Sequence, residues 1–152
     1  MQIVTIKKSI EISAPPEKVY EVLVNDKYLP VWYEAFSKGS RAETDWKVGS
    51  KAVFTDDGLS GLVGRIVVND PGKEISIEYL GVLTGGKEDY ESEMAKNFKG
   101  ARETYRLSGQ NGTTRLDVEC DMGEDYADHM SAMWDKALQK IRELSENELV
   151  ES

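Results

Sequence analysis

Between Asp125 and Glu148 the apolar residues Tyr126, Met130, Met133, Trp134, Ala137, Leu138, Ile141 and Leu144 recur at helical spacing. That period is kept for about six turns, and no other stretch of the chain sustains it. The opposite positions Asp128, Asp135, Lys136, Gln139, Lys140, Arg142 and Glu143 are polar. A single apolar stripe predicts a helix lying on an apolar surface rather than passing through one. Gly123 breaks the chain just before it, and Glu124, Asp125 and Asp128 put negative charge where the helix's free N–H groups gather. At about 1.5 Å per residue the rod is on the order of 35 Å long. The rest of the chain must therefore build a surface of domain width beneath it.

That remainder reads as strands with an early helical interlude. Ile3 to Ile12 places Val4, Ile6, Ile10 and Ile12 on one alternating face, interrupted by Lys8, which predicts a strand. Ser13-Ala14-Pro15-Pro16 stops it and opens a short helix carrying Val19, Val22 and Leu23. After Asn25-Asp26, the spacing of Leu29, Trp32, Tyr33 and Phe36 predicts a second short helix, held to a turn or two by Pro30. Ser37 to Asp45 reads as a loop, and Trp46-Lys47-Val48-Gly49 as the entry to a meander. Its strands run from about Ser50 to Thr55, Leu62 to Asn69 and Glu74 to Val82, separated by Asp56-Asp57-Gly58 and Asp70-Pro71-Gly72-Lys73. Ala101 to Ser108 and Thr113 to Met122 follow, joined through Asn111-Gly112. In the last strand Thr114, Leu116, Val118, Cys120 and Met122 alternate with Arg115, Asp117, Glu119 and Asp121, so one face is buried and the other wet. Asn147 to Ser152 reads as a frayed tail.

Together these elements fit one α+β domain over residues 1–152, with two short helices after the first strand. A curved antiparallel sheet of about six strands wraps around the long C-terminal helix. One helix about 10 Å wide does not fill such a concavity from end to end, so a cavity is expected between them. Composition narrows what the cavity serves. With 28 acidic against 19 basic residues, a net charge of −9 gives phosphate-bearing partners little long-range attraction, so neither nucleic acid nor an anionic membrane is expected as a partner. No run approaches the roughly eighteen apolar residues of a membrane span, and Met1-Gln2-Ile3-Val4 opens a strand pattern rather than a signal sequence, so a cytoplasmic location is expected. A lone Cys120 cannot form an internal disulfide, and a lone His129 removes paired-histidine metal sites. The acidic residues Glu88, Asp89, Glu91 and Glu93 lack the ligand spacing of a calcium loop, so neither metal nor cofactor is expected.

Several strings resemble a known superfamily: Ser13-Ala14-Pro15-Pro16-Glu17-Lys18-Val19-Tyr20 after an initial strand, Trp46-Lys47-Val48-Gly49 before the meander, Tyr105-Arg106-Leu107 followed by Gly112-Thr113-Thr114-Arg115-Leu116, and Trp134 in the last helix. They are similar to the START-like helix-grip superfamily of lipid carriers, birch-pollen-allergen proteins and polyketide cyclases. Within it the chain most resembles the homologues of the activator of heat-shock-protein-ninety ATPase. The resemblance implies the helix-grip fold and a pocket between sheet and terminal helix for a small hydrophobic or amphipathic ligand. It carries across no shared catalytic residue. The branch's name adds a heat-shock chaperone as a possible partner.

Candidate ligand-contacting residues follow from position. Met130, Met133, Trp134 and Leu138 would roof the cavity, or in the helix's C-terminal half form solid core. Trp32, Tyr33 and Phe36 line its mouth or seat the second helix; Phe54 and Tyr79 face it from the meander. In the segment from Thr84 to Gly100, Tyr90, Met94 and Phe98 fall at intervals of four, which fits either a short amphipathic lid or a surface loop. Glu103 shares a strand face with Tyr105. It either points inward, with Tyr79 and Tyr105 as polar neighbours in a cyclase- or hydratase-like site, or reaches solvent or Arg65. His129 is read as a surface histidine and Cys120 as inert packing.

Overall fold

Asn111 and Gly112 both take positive φ, +55° and +79°. This is the two-residue turn whose twist matches that of the strands it joins. Around it the alternating segments pair in the computed structural model, which describes residues 2–151 and the side chains of residues 2–147. The order is β1 (Ile3–Ile12), α1 (Pro16–Val24), α2 (Leu29–Tyr33), β2 (Arg41–Glu43), β3 (Lys51–Thr55), β4 (Gly61–Asp70), β5 (Glu74–Thr84), β6 (Lys87–Asp89), α3 (Glu93–Phe98), β7 (Arg102–Gln110), β8 (Thr113–Gly123) and α4 (Ala127–Glu151). A 3-10 turn at Glu124–Tyr126 leads into α4. The segment expected to fray from Asn147 is helical as far as Glu151, and Met1 and Ser152 lie outside the described residues.

Among the described residues eight strands form one antiparallel sheet in the order β1-β8-β7-β5-β4-β3-β2, with β6 paired to β5. This is a curved sheet gripping a long helix, as the strand pattern implied. The strands beyond the expected six are β2, inside the segment read as a loop, and β6, inside the segment from Thr84 to Gly100. Each has three residues, too few to display an alternating pattern. Curvature comes from two register shifts between β4 and β5, at Val63/Gly64 and at Ile66/Val68. An extra residue on one strand bends it and raises its twist.

The helix α4 packs on β1, α1 and α2. Trp134, Ala137, Leu138 and Ile141 are buried there with Val19, Val22 and Leu23 of α1. Lys8, which interrupts the apolar face of β1, reaches the side of α4 and pairs with Asp135 at 2.9 Å. The opposite sheet face is polar: Glu78 lies 3.1 Å from Arg65 and 3.8 Å from Arg102, while Arg106 bridges Glu74 and Glu119. Among the described residues no helix is long and apolar enough to cross a membrane.

Candidate functional site

Strand register places one carboxylate in an otherwise apolar row. Ile6 lies opposite Cys120, Cys120 opposite Glu103, Glu103 opposite Ile77, and Ile77 opposite Ile66. The other four members are buried on the face that α4 covers. Glu103 is half-buried, and it forms part of a cavity wall. Tyr79, diagonal to it across the β5–β7 pair, donates its O–H to Oε1 at 3.0 Å. Tyr105, two residues along β7, donates to Oε2 at 2.5 Å. The Cys120 thiol lies 3.7 Å from Oε1 as a weak third donor. Of the two orientations the sequence left open for Glu103, the inward one is observed; Arg65 instead faces the opposite side and pairs with Glu78.

Burial pushes the Glu103 carboxyl above the usual glutamate range, and the hydrogen bonds from Tyr105, Tyr79 and Cys120 oppose the rise. Burial and then the Glu103 charge push the phenols of Tyr79 and Tyr105 well up, so both stay protonated as donors. The same two causes raise Tyr33 and the Cys120 thiol.

In front of this cluster lies a cavity of about 200 Å³. Tyr33 and Phe36 close it from α2 and the turn beyond, Phe54 and Leu62 from the sheet, and Phe98 from α3. Met130 and Trp134 roof it from α4. Its rings touch edge to face, Phe36 with Trp134 at 4.9 Å between centroids and Tyr105 with Trp134 at 5.8 Å. The Trp134 indole N–H is buried without a well-aligned hydrogen-bond partner; the Cys120 sulfur alongside is only a weak acceptor. On the solvent-facing side the lining turns polar with Ser37, Ser40, Arg41, Thr55, Asp56 and Ser60. There Ser37 donates to Asp56 at 2.8 Å, and the backbone N–H groups of Gly58 and Ser60 also point at that carboxylate.

The structure brings together Tyr33, Phe36, Phe54, Tyr79, Glu103, Tyr105, Met130 and Trp134. Five other candidates lie elsewhere. Trp32 is 1% exposed and donates its indole N–H to the Val22 carbonyl at 2.9 Å, so it seats α2 on α1. Leu138 belongs to the solid core with Ala137 and Ile141, while Met133 is half-buried away from the cavity. Met94 and Tyr90 are exposed. The helix α3 does form, but it starts at Glu93, after Tyr90, and turns Ala95 and Phe98 inward instead of the line through Met94. The Tyr90 ring lies against Gly81, where a Cβ would come within 2.7 Å of Cδ1. His129 is exposed, with its ring against Tyr126.

Cys120 and Met122 also line the cavity. Alternation had put both on the apolar face of β8; only the register shows that Cys120 stands beside Glu103. The polar side was missed because β2 and the turn before β4 come from a stretch without periodicity. Among the described residues no three His, Cys, Asp or Glu side chains are grouped to hold a metal ion.

The model of the family described as "Activator of Hsp90 ATPase homolog 1-like protein" matches residues 13–146. The chain belongs to that family. Solved structures with the family's fold include the solution structure of the Aha1 dimer from Colwellia psychrerythraea, 20% identical with a TM-score of 0.72, covering 93% of this chain and 96% of that one. The protein MLL2253 from Mesorhizobium loti is 17% identical with a TM-score of 0.73, over 95% and 98% of the two chains. CalU16 from Micromonospora echinospora is 18% identical with a TM-score of 0.66, over 91% and 72%. At these identities the likeness is one of fold. Comparison with curated proteins by sequence gives no significant match.

Proposed function

We propose that this member of the activator of Hsp90 ATPase homolog 1-like family binds a small hydrophobic or amphipathic molecule in the cavity between its sheet and α4. The observation that carries this reading is the aromatic-walled cavity of about 200 Å³ with a carboxylate on its floor. A close-packed core would fill such a space. An apolar cavity of about 150 Å³ already holds benzene. The occupant is therefore about one ring in girth, with a tail directed toward Ser40 and Ser60. Titration with 2-phenylethanol, followed through the NMR signal of the Trp134 indole N–H, tests it. A saturable shift of that signal is expected; a signal unmoved at saturating probe overturns the reading.

A second reading has the Glu103, Tyr79 and Tyr105 cluster move protons in a cyclase- or hydratase-like reaction. Its support is a carboxyl raised by burial within hydrogen-bond reach of the cavity. Glu103→Gln would then abolish turnover of a bound substrate. Partnership with a heat-shock chaperone rests on family membership alone, and stimulation of the chaperone's ATPase on mixing is its assay.

A further inference from the structure

The cavity's polar groups are unevenly signed. Its inner end holds the Glu103 carboxylate, which among the described residues makes no ion pair, and its outer side holds the Asp56 carboxylate. Among the described lining residues Arg41 alone is basic, and its guanidinium is turned to the Gly39 carbonyl at 3.3 Å and to Glu43 at 4.0 Å. Both phenols that touch Glu103 are donors, which favours its ionised form, yet two hydrogen bonds and a thiol leave part of its accepting capacity open. The space in front is walled by the rings of Tyr33, Phe54 and Trp134. Aromatic walls around a carboxylate attract cations, because ring faces carry negative potential and the anion supplies the countercharge.

We infer that the occupant is a small organic cation: a protonated amine on a body about one ring wide, its N–H groups on Glu103. This rests on the cavity being a binding site, and it names the class of molecule bound. An anionic ligand would meet Glu103 and Asp56. A neutral one would leave the half-buried carboxylate without a countercharge.

The test uses three probes of one shape that differ at a single group: 2-amino-1-phenylethanol, 1-phenylethane-1,2-diol and mandelate. By calorimetry at pH 7 the amine should bind the wild-type protein at least about tenfold more tightly than the diol, with mandelate weakest. Glu103→Gln should collapse the ratio of amine to diol affinity toward one. The wild-type series stands without the variant, should the variant fail to fold. A diol or mandelate that binds as tightly as the amine overturns the cation assignment while leaving the cavity a binding site. If none of the three binds but 2-phenylethanol still shifts the Trp134 signal, the cation assignment falls alone. If that signal is also unmoved, both readings fall together.

Discussion

Tyr79 and Glu103 stand diagonally across two neighbouring strands and are joined by a 3.0 Å hydrogen bond, phenol to carboxylate. Neither would be stable there alone. The phenol has burial to offset, and the carboxylate sits in a row of isoleucines and a cysteine. Tyr105 closes the cluster from the same strand as Glu103. The carboxylate set into this apolar row thus faces the cavity under α4.

Glu103 should make stability depend on pH. Burial raises its carboxyl in the folded chain, so in the window just above the ordinary glutamate range the folded state holds more protons than the unfolded one. Stability contributed by this group therefore falls as pH rises through that window and levels off above the folded-state value. Tyr33, Tyr79, Tyr105 and Cys120, which face it, are all pushed upward and remain protonated throughout. Urea denaturation at a series of pH values should show wild-type stability declining relative to Glu103→Gln from about pH 4.5 toward neutrality. A difference that is flat or of opposite slope would contradict the buried, raised carboxyl.

The two buried tryptophans should respond differently to the same change. Trp32 and Trp134 are each 1% exposed, but Trp32 donates its indole N–H to the Val22 carbonyl, while Trp134 has only the weakly accepting Cys120 sulfur alongside. Trp32→Phe strands that carbonyl, whereas Trp134→Phe removes a donor that had only a weak sulfur acceptor. In urea denaturation Trp32→Phe should cost about 1–2 kcal/mol more than Trp134→Phe. Equal losses would show that the Trp134 N–H is satisfied after all.

At the β7–β8 hairpin, Gly112 takes φ +79° with open space around its Cα. Strain rather than collision then sets the cost of a side chain. Gly112→Ala should lower stability by about 1–2 kcal/mol by the same measurement, from the left-handed backbone penalty alone. A neutral substitution would mean that the turn readjusts to another type.

Long period and strong alternation made the frame legible. The stripe from Met130 to Leu144 gave α4, and the regular β8 pattern gave its buried face before any pairing was known. The site was only partly legible: the Asn111-Gly112 turn sets Cys120 beside Glu103, but the pairing of Glu103 with Ile77 and of Ile77 with Ile66 crosses a long connection and two register shifts that no local pattern encodes. Trp32 and Tyr33 show the same limit: one helical step separates a core residue from a cavity wall. The lid-like spacing of Tyr90, Met94 and Phe98 failed because the helix begins at Glu93, capped by Ser92 through the Ala95 N–H, which rotates Ala95 and Phe98 inward. At β2 the pairing of Arg41 to Glu43 with Val53 to Thr55 is tertiary, with no signature of its own.

The most direct test is a crystal of the protein soaked with 4-bromobenzyl alcohol and measured at the bromine edge. An anomalous peak enclosed by Phe54, Tyr105 and Trp134 is the predicted result. Bromine found only at surface positions, with side chains packed through the space before Glu103, would contradict a binding cavity between sheet and α4.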